Sequence, residues 1–240
     1  KLQLNASTYY YIYKNYAAHW MEMVWQDDNG DQQMPEQMGP PRPGEESEIK
    51  NDSGARNVVG EGRMIGVDAS MSAIITPKDM VNLTVSYVKS EWTDLYFKWQ
   101  YTTQDLLIDG VFYNDVPHPD MDYSGKPMTN SPPWTINLNY SHNFTLWNGG
   151  ILKASASAKY QTAYQLSWQD QWRPWNYQET HHMENANMAY NHPTGNWSLS
   201  VYMKNIFNYA EKRSYMNAGG QGMLMIGDPR TYGGVLSVKF

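Results

Sequence analysis

The 240-residue sequence has no cysteine, which excludes disulfide scaffolds and thiolate metal sites. No stretch approaches the roughly 18 apolar residues that a membrane-spanning helix requires. The opening residues, KLQLNAST, have no signal-peptide character. Positive charge is in deficit: the formal net charge is -6, and without a basic stripe to neutralise phosphates no nucleic-acid partner is expected. Phenylalanine is scarce at 5 residues, whereas tyrosine (19) and tryptophan (10) are abundant. Rings with a polar edge suit a boundary between oil and water. If this chain meets a membrane, a β-barrel is the remaining way to cross it.

The pattern that is present has a period of two. In VNLTVSYV, Val81, Leu83, Val85 and Tyr87 alternate with Asn82, Thr84 and Ser86. In TINLNYSHNF, Ile136, Leu138, Tyr140 and Phe144 alternate with Asn137, Asn139, Ser141 and Asn143. In ILKASASAKY, Leu152, Ala154, Ala156, Ala158 and Tyr160 alternate with Lys153, Ser155, Ser157 and Lys159. The same spacing predicts strands over 2–13, 63–75, 184–190, 196–207 and 231–240, eight in all.

Connections fall into two classes. TPKD (76–79), WNGG (147–150) and HPTG (192–195) are tight and rich in turn formers. Those near 26–57, 99–133, 168–181 and 208–229 are long. Long and short alternate strictly, so every tight turn lies at one end of the sheet and every long loop at the other, as in an outer-membrane barrel. A soluble sandwich also alternates, but its loops need not segregate by length and its polar face usually carries more Lys and Glu. Here the polar positions are mostly Asn, Ser and Thr, which suits a crowded, hydrated lumen.

The C-terminal TYGGVLSVKF places Tyr232, Leu236, Val238 and Phe240 on one face, where a barrel would turn them to lipid. The longer stretch IGDPRTYGGVLSVKF (226–240) resembles the C-terminal signature of TonB-dependent outer-membrane receptors, in which a terminal Phe is the assembly signal. NWSLSVYMKNIFN (196–208), with Asn205, Ile206, Phe207 and Asn208, is similar to the strand that precedes it in that family, and residues 66–95 and 131–144 are similar to middle and late barrel strands. The resemblance implies an all-β, antiparallel transmembrane barrel of about 22 strands closed around a plug. Residues 1–240 would supply about eight C-terminal strands, with the plug and the N-terminal strands absent. It further implies a multi-pass outer-membrane location and active import of a scarce solute, such as an iron-siderophore. The partners would be membrane lipid, the rest of the barrel in the same or a separate chain, and the TonB complex acting through the missing plug. An autonomous eight-stranded barrel with a structural or partner-binding role is the alternative.

No nucleophile elbow, HExxH or phosphate loop occurs, so neither enzymatic activity nor a cofactor is expected. Loop carboxylates such as Glu45, Glu46, Glu48, Asp115, Asp120 and Asp122 read as solvated charge. The loop methionines Met34, Met38, Met223 and Met225 read as adaptable packing. Ligand-contact candidates are the aromatic-rich loops: Trp168, Trp172 and Trp175 around Arg173, and Trp99 and Tyr101 farther upstream. Such rings can stack on sugars or flat ligands while Arg173 pairs an anion, although an interfacial aromatic girdle would use the same rings. His181 and His182 are the best metal or haem candidates, but neighbours on a strand face opposite sides and cannot share one ion.

Overall fold

In a computed structural model, residues 1–26, 32–33, 50–97, 103–108, 111–117, 121–167, 174–218 and 221–239 are described. Eight principal strands run in chain order: β1 (Leu2–Gln26), β2 (Lys50–Thr76), β3 (Asp79–Asp94), β4 (Trp134–Thr145), β5 (Ile151–Gln161), β6 (His181–Asn191), β7 (Trp197–Lys204) and β8 (Thr231–Val238). Each pairs antiparallel with its sequence neighbours, giving one up-and-down sheet. The sheet is not closed: β8 lies at one edge, and β1 lies toward the other with, among the described residues, only Gln32–Gln33 beyond it.

Register turns the period of two into two faces. Leu4, Met71, Leu83, Leu138 and Ala158 form one continuous cross-strand row from β1 to β5. The adjacent row holds Asn5, Ser70, Thr84, Asn137, Lys159 and Met183. A slip of one residue would mix these rows, so the alternation fixes the pairing. The apolar face stays exposed, with Leu2, Leu4, Ile65, Leu138, Leu199 and Leu236 uncovered. A sheet whose apolar face has no second layer needs a nonaqueous surround. Along β5 this face extends over residues 152–160, matching the roughly nine to eleven residues with which a tilted strand crosses hydrocarbon. Aromatic rings bracket it: Phe144, Tyr190 and Trp197 near the short turns, and Tyr87, Trp134 and Tyr160 toward the long loops, where Tyr87 and Trp134 lie 4.7 Å apart.

The short turns join β2–β3, β4–β5 and β6–β7. Gly149 and Gly195 close two of them at φ 79° and 70°, a left-handed backbone that glycine adopts without steric cost. In the first turn Thr76 Oγ1 donates to the Asp79 carboxylate, which also accepts from Tyr140 Oη and lies 2.6 Å from His142 Nδ1.

β1 and β2 continue well past the expected limits of 13 and 63, and their register shifts at Tyr13/Tyr16, where Asn15 has φ 55°. Backbone pairing carries the hairpin onward as far as Gln26 and Lys50. The long connections contain hairpins of their own, Thr103–Ile108 with Val111–Pro117 and Lys212–Ala218 with Gln221–Ile226. β7 stops at Lys204 rather than 207, because Asn205 (φ 50°) and Asn208 (φ 55°) turn the chain there.

Candidate functional site

Nearly all complete burial in the described chain is concentrated where the long connections fold over the polar face, and it forms two clusters. Trp92, Leu95, Tyr123 and Met128 are buried together, with Tyr13 and Met64 packed against them. The last part of the second long connection is pinned there by backbone bonds: Trp92 N donates to Lys126 O (2.9 Å), Gly125 N to Trp92 O (2.7 Å) and Tyr123 N to Leu95 O (2.8 Å). Glycine in β2 makes room: a Cβ at Gly60 would lie 2.7 Å from a Leu95 methyl, and one at Gly62 would lie 3.2 Å from Met128 Sδ. Trp92 is 1% exposed, and its indole nitrogen has no hydrogen-bond partner among the described residues.

A ladder of tyrosines runs along β1 into this cluster. Ring centroids are 5.3 Å apart for Tyr9–Tyr11, 6.3 Å for Tyr11–Tyr13 and 6.0 Å for Tyr13–Tyr16, and Tyr16 meets Trp92 edge-on at 5.3 Å. Tyr9, Tyr11 and Tyr13 share one side because strand residues two apart do. Tyr9 lies across β2 at Gly66, where an added Cβ would come within 2.3 Å of the ring.

The second cluster is polar. Asn176 and Gln178 are fully buried, His181 is 3% exposed, and Asn205 and Glu211 are buried beside them. The Gln178 amide donates to Glu179 O (2.8 Å) and Tyr209 Oη (2.9 Å) and accepts from Lys212 N (2.6 Å). Those two donations use both amide hydrogens, so the 3.2 Å approach of Gln178 Nε2 to His181 Nδ1 is a contact rather than a third bond. The His181 ring stacks on Tyr209 at 5.2 Å, and its Nδ1 lies 3.1 Å from Glu179 O. Its Nε2 is 3.4 Å from Glu211 Oε1, within ion-pair distance but not aligned as a hydrogen bond.

Glu211 also meets Arg213 Nε at 3.1 Å and Lys159 Nζ at 3.9 Å. Burial pushes its carboxyl up, but the Arg213 hydrogen bond and the charges of Lys159 and Arg213 outweigh it and hold the group below the usual carboxylate value. Glu179 is also held low, chiefly by its hydrogen bond from Lys212.

Asn205 joins the two C-terminal motifs. Its backbone N–H donates to Asn185 Oδ1 (3.0 Å), its side-chain amide donates to Tyr209 O (2.8 Å) and Asp228 O (3.0 Å), and its Oδ1 accepts from Tyr209 N (2.8 Å). Asn208 Oδ1 accepts from Arg230 N (2.8 Å). Neither Asn205 nor Gln178 announces itself in the sequence. The one available signal was Asn205-Ile206-Phe207-Asn208, which reads as the end of a strand and folds as a clasp.

Of the predicted site residues, Trp175 is 44% exposed, within a short 3-10 turn (Pro174–Asn176). His181 faces the polar cluster, whereas His182 is exposed on the opposite side, 2.6 Å from Glu184 Oε1 and edge-on to Phe207. Tyr232, Leu236 and Val238 are all exposed on β8. Trp99, Tyr101, Trp168, Trp172, Arg173 and Phe240 lie outside the described residues. No group of three or more His, Asp or Glu suited to a metal ion occurs among the described residues.

Below the polar cluster, a cavity of about 740 Å³ opens on the polar face, lined by Lys153, Lys204, Asn139, Asn187, Ser155 and Tyr202 among others. Lys159 shares this face, and the described strands β4–β8 place no carboxylate on it.

Residues 1–206 match the family described as TonB dependent receptor-like, beta-barrel, and the chain belongs to that family. Its sheet resembles the ferric yersiniabactin uptake receptor FyuA from Yersinia pestis, at TM-score 0.57 and 14% identity over 76% of this chain and 25% of the receptor. It also resembles the ferric-catecholate import receptor Fiu from E. coli K12, at TM-score 0.55 and 16% identity over 98% of this chain and 24% of the receptor. At such identities the likeness is one of fold. The chain spans about a quarter of the length of these two receptors. A comparison with curated protein sequences gives no match. Membership of this barrel family identifies the apolar face as the lipid-facing one and the polar face as the lumen-facing one.

Proposed function

We propose that this chain forms eight adjoining wall strands of an outer-membrane uptake receptor. That receptor binds a scarce solute, such as an iron-siderophore, at its long-loop end and imports it with energy delivered by TonB. The observation that carries the reading is the open sheet with a continuous lipid-type face. Unpaired backbone groups at an edge in hydrocarbon cost several kcal/mol each, roughly, so β1 and β8 call for further strands to close the barrel. Those strands, and a plug through which TonB acts, belong to the remainder of the receptor in the same or a separate chain.

In this reading the long connections are extracellular. Solute contacts come from their aromatic residues, Trp99, Tyr101, Trp168, Trp172 and Trp175, with Arg173 as the anion partner. His181 supports the site from beneath, and His182 lies at the outer rim. Tyr232, Leu236, Val238 and Phe240 act as the assembly signal at the periplasmic end. The receptor moves its solute without covalent chemistry.

Denaturing mass spectrometry of the protein from its native membrane, paired with solute uptake in cells with and without TonB, tests the proposal. A covalent mass several-fold above that of these 240 residues, or co-purification of a second chain bearing a plug, together with TonB-dependent uptake, is the expected result. A self-contained eight-stranded barrel with no second chain and no TonB-dependent uptake would overturn it.

A further inference from the structure

We propose that the lipid-facing side of β6–β8 holds one phosphoethanolamine phospholipid, with an acyl chain in a groove of the sheet and the headgroup between Glu184 and Arg230. The inference rests on the receptor reading, which puts the headgroup end of the groove toward the long loops and the outer membrane surface. Two consecutive cross-strand rows form the groove: Ala186, Met203 and Tyr232, then Met188, Val201 and Gly234. Its volume is about 550 Å³ and its lining is apolar. Ala186 and Gly234 lie on a diagonal across these rows and leave its floor low, while the methionines and Tyr232 supply the walls. Because the groove spans three strands of this chain on the face away from the lumen, neither a plug nor further wall strands beside β8 would fill it.

The outer end of the groove carries both signs of charge, and these select the headgroup. Glu184 pairs across β5 with Ala158, so it continues the apolar row that runs from Leu4 to Ala158, two residues before Ala186. A carboxylate on a lipid-facing row is costly in hydrocarbon and marks a site with a partner. Its side chain is 25% exposed, and one oxygen lies 2.6 Å from His182 Nδ1. The other oxygen meets no donor among the described residues. Arg230, two residues before Tyr232, is exposed and pairs with no carboxylate among the described residues, since Asp228 turns to Arg213 at 3.6 Å. Arg230 Nη1 donates to Ile206 O (3.4 Å), and Ile206 N donates to Glu184 O (3.0 Å), so the two charged residues flank one backbone unit. A carboxylate and a guanidinium together match a headgroup with an ammonium and a phosphate. A headgroup with phosphate alone would set like charge against Glu184.

Native mass spectrometry of the complete receptor in nonionic detergent, with phosphatidylethanolamine, phosphatidylglycerol and lipid A added in equal amounts, tests the site. Phosphatidylethanolamine is expected to be retained about tenfold more than phosphatidylglycerol. Glu184→Gln should bring the two to near parity, whereas Arg230→Gln should lower both. Gly234→Val should also lower both by filling the groove, and its Cβ would lie 3.4 Å from Ser200 O, an ordinary contact. Leu138→Ala, elsewhere on the lipid face, should change neither. Equal retention of the two phospholipids, stronger retention of lipid A, or a preference indifferent to both Glu184→Gln and Gly234→Val overturns the inference. TonB-dependent uptake by the same receptor separates the two failures. Uptake that persists without lipid selectivity sinks the site alone, whereas loss of TonB dependence sinks the receptor reading, whatever the lipid result.

Discussion

Two halves of the same rim are closed by different physics. Over β1–β3 the closure is apolar: Trp92, Leu95, Tyr123 and Met128 exclude water around one another, and backbone bonds hold the covering segment in place. Over β5–β8 it is made of Asn176, Gln178, His181, Asn205 and Glu211, whose hydrogen-bonding groups are nearly all matched. The first arrangement depends on volume and gives way gradually, since apolar contacts are many, weak and non-directional. The second depends on direction, and removing one partner strands the others without water. A receptor rim built this way has one half fixed by shape and one half that responds to charge.

The comparison is broken most severely by opening the apolar half. Leu95 is fully buried, and Leu95→Ala is expected to destabilise that closure by about 2–5 kcal/mol. Leu138→Ala, on the exposed lipid face, leaves the rim closed. Limited proteolysis of the 122–133 segment in the folded receptor provides the readout, and equal cleavage in both variants would show that Leu95 does not hold the closure.

Asn205 is the corresponding test of the polar half. Asn205→Ala removes two donated bonds and one accepted bond and puts a Cβ residue without a compensating side chain at φ 50°. A cost on the order of 2–3 kcal/mol is expected. Asn205→Gly relieves the backbone strain but loses the same bonds, so it should recover only part of the loss. Thermal unfolding in detergent, followed by hydrogen exchange across 205–230, separates the two contributions. Full recovery in the glycine variant would mean that backbone conformation, not the bonds, was the whole effect.

These contrasts also show what a sequence can disclose. The eight strands and the segregation of tight turns were legible because a period of two and the turn formers around Gly149 and Gly195 are local signals that register must obey. The continuation of β1 and β2 was not, since the sequence there does not alternate. Nor was the hairpin Lys212–Ala218 with Gln221–Ile226, whose methionines Met223 and Met225 look like loop packing until the pairing is seen. The polar closure was the least legible feature. Gln178 bonds to Lys212, and Asn205 to Asp228, and these partners lie too far apart in the chain for any spacing rule to link them. His181 stood out as a histidine, but its burial against Tyr209 and Glu211 depends on two loops meeting.

A smaller effect comes from pH and should be larger on the polar side, because the carboxyl held low in the segment over Trp92, that of Asp122, is exposed to solvent. The Glu211 carboxyl is held below its ordinary value of 4.5, so the folded cluster binds its proton less readily than the unfolded chain. The associated stability is present above that ordinary value and is lost as pH falls through the lower folded value. Acidification below about pH 4.5 should therefore loosen 205–230 more than the segment over Trp92. Glu211→Gln should reduce this difference to the part that Glu179, held low by Lys212, contributes. Hydrogen exchange compared at neutral and acid pH measures it, and parallel loosening of both halves would argue against Glu211 as its source.

The smallest effect sharpens the apolar side of the comparison. Trp92 occupies the centre of that closure with an indole N–H that meets no acceptor among the described residues, a polar group inside a cluster otherwise held by shape. Trp92→Phe removes the orphan donor, relieving about 1–3 kcal/mol of desolvation, and leaves a smaller ring whose missing volume costs a comparable amount. The two terms oppose each other, so the midpoint of thermal unfolding should scarcely move. Trp92→Ala, which empties the site, should lower it clearly. If Trp92→Phe proves as damaging as Trp92→Ala, the indole nitrogen has an acceptor after all, and the two halves of the rim are less different than their residues suggest.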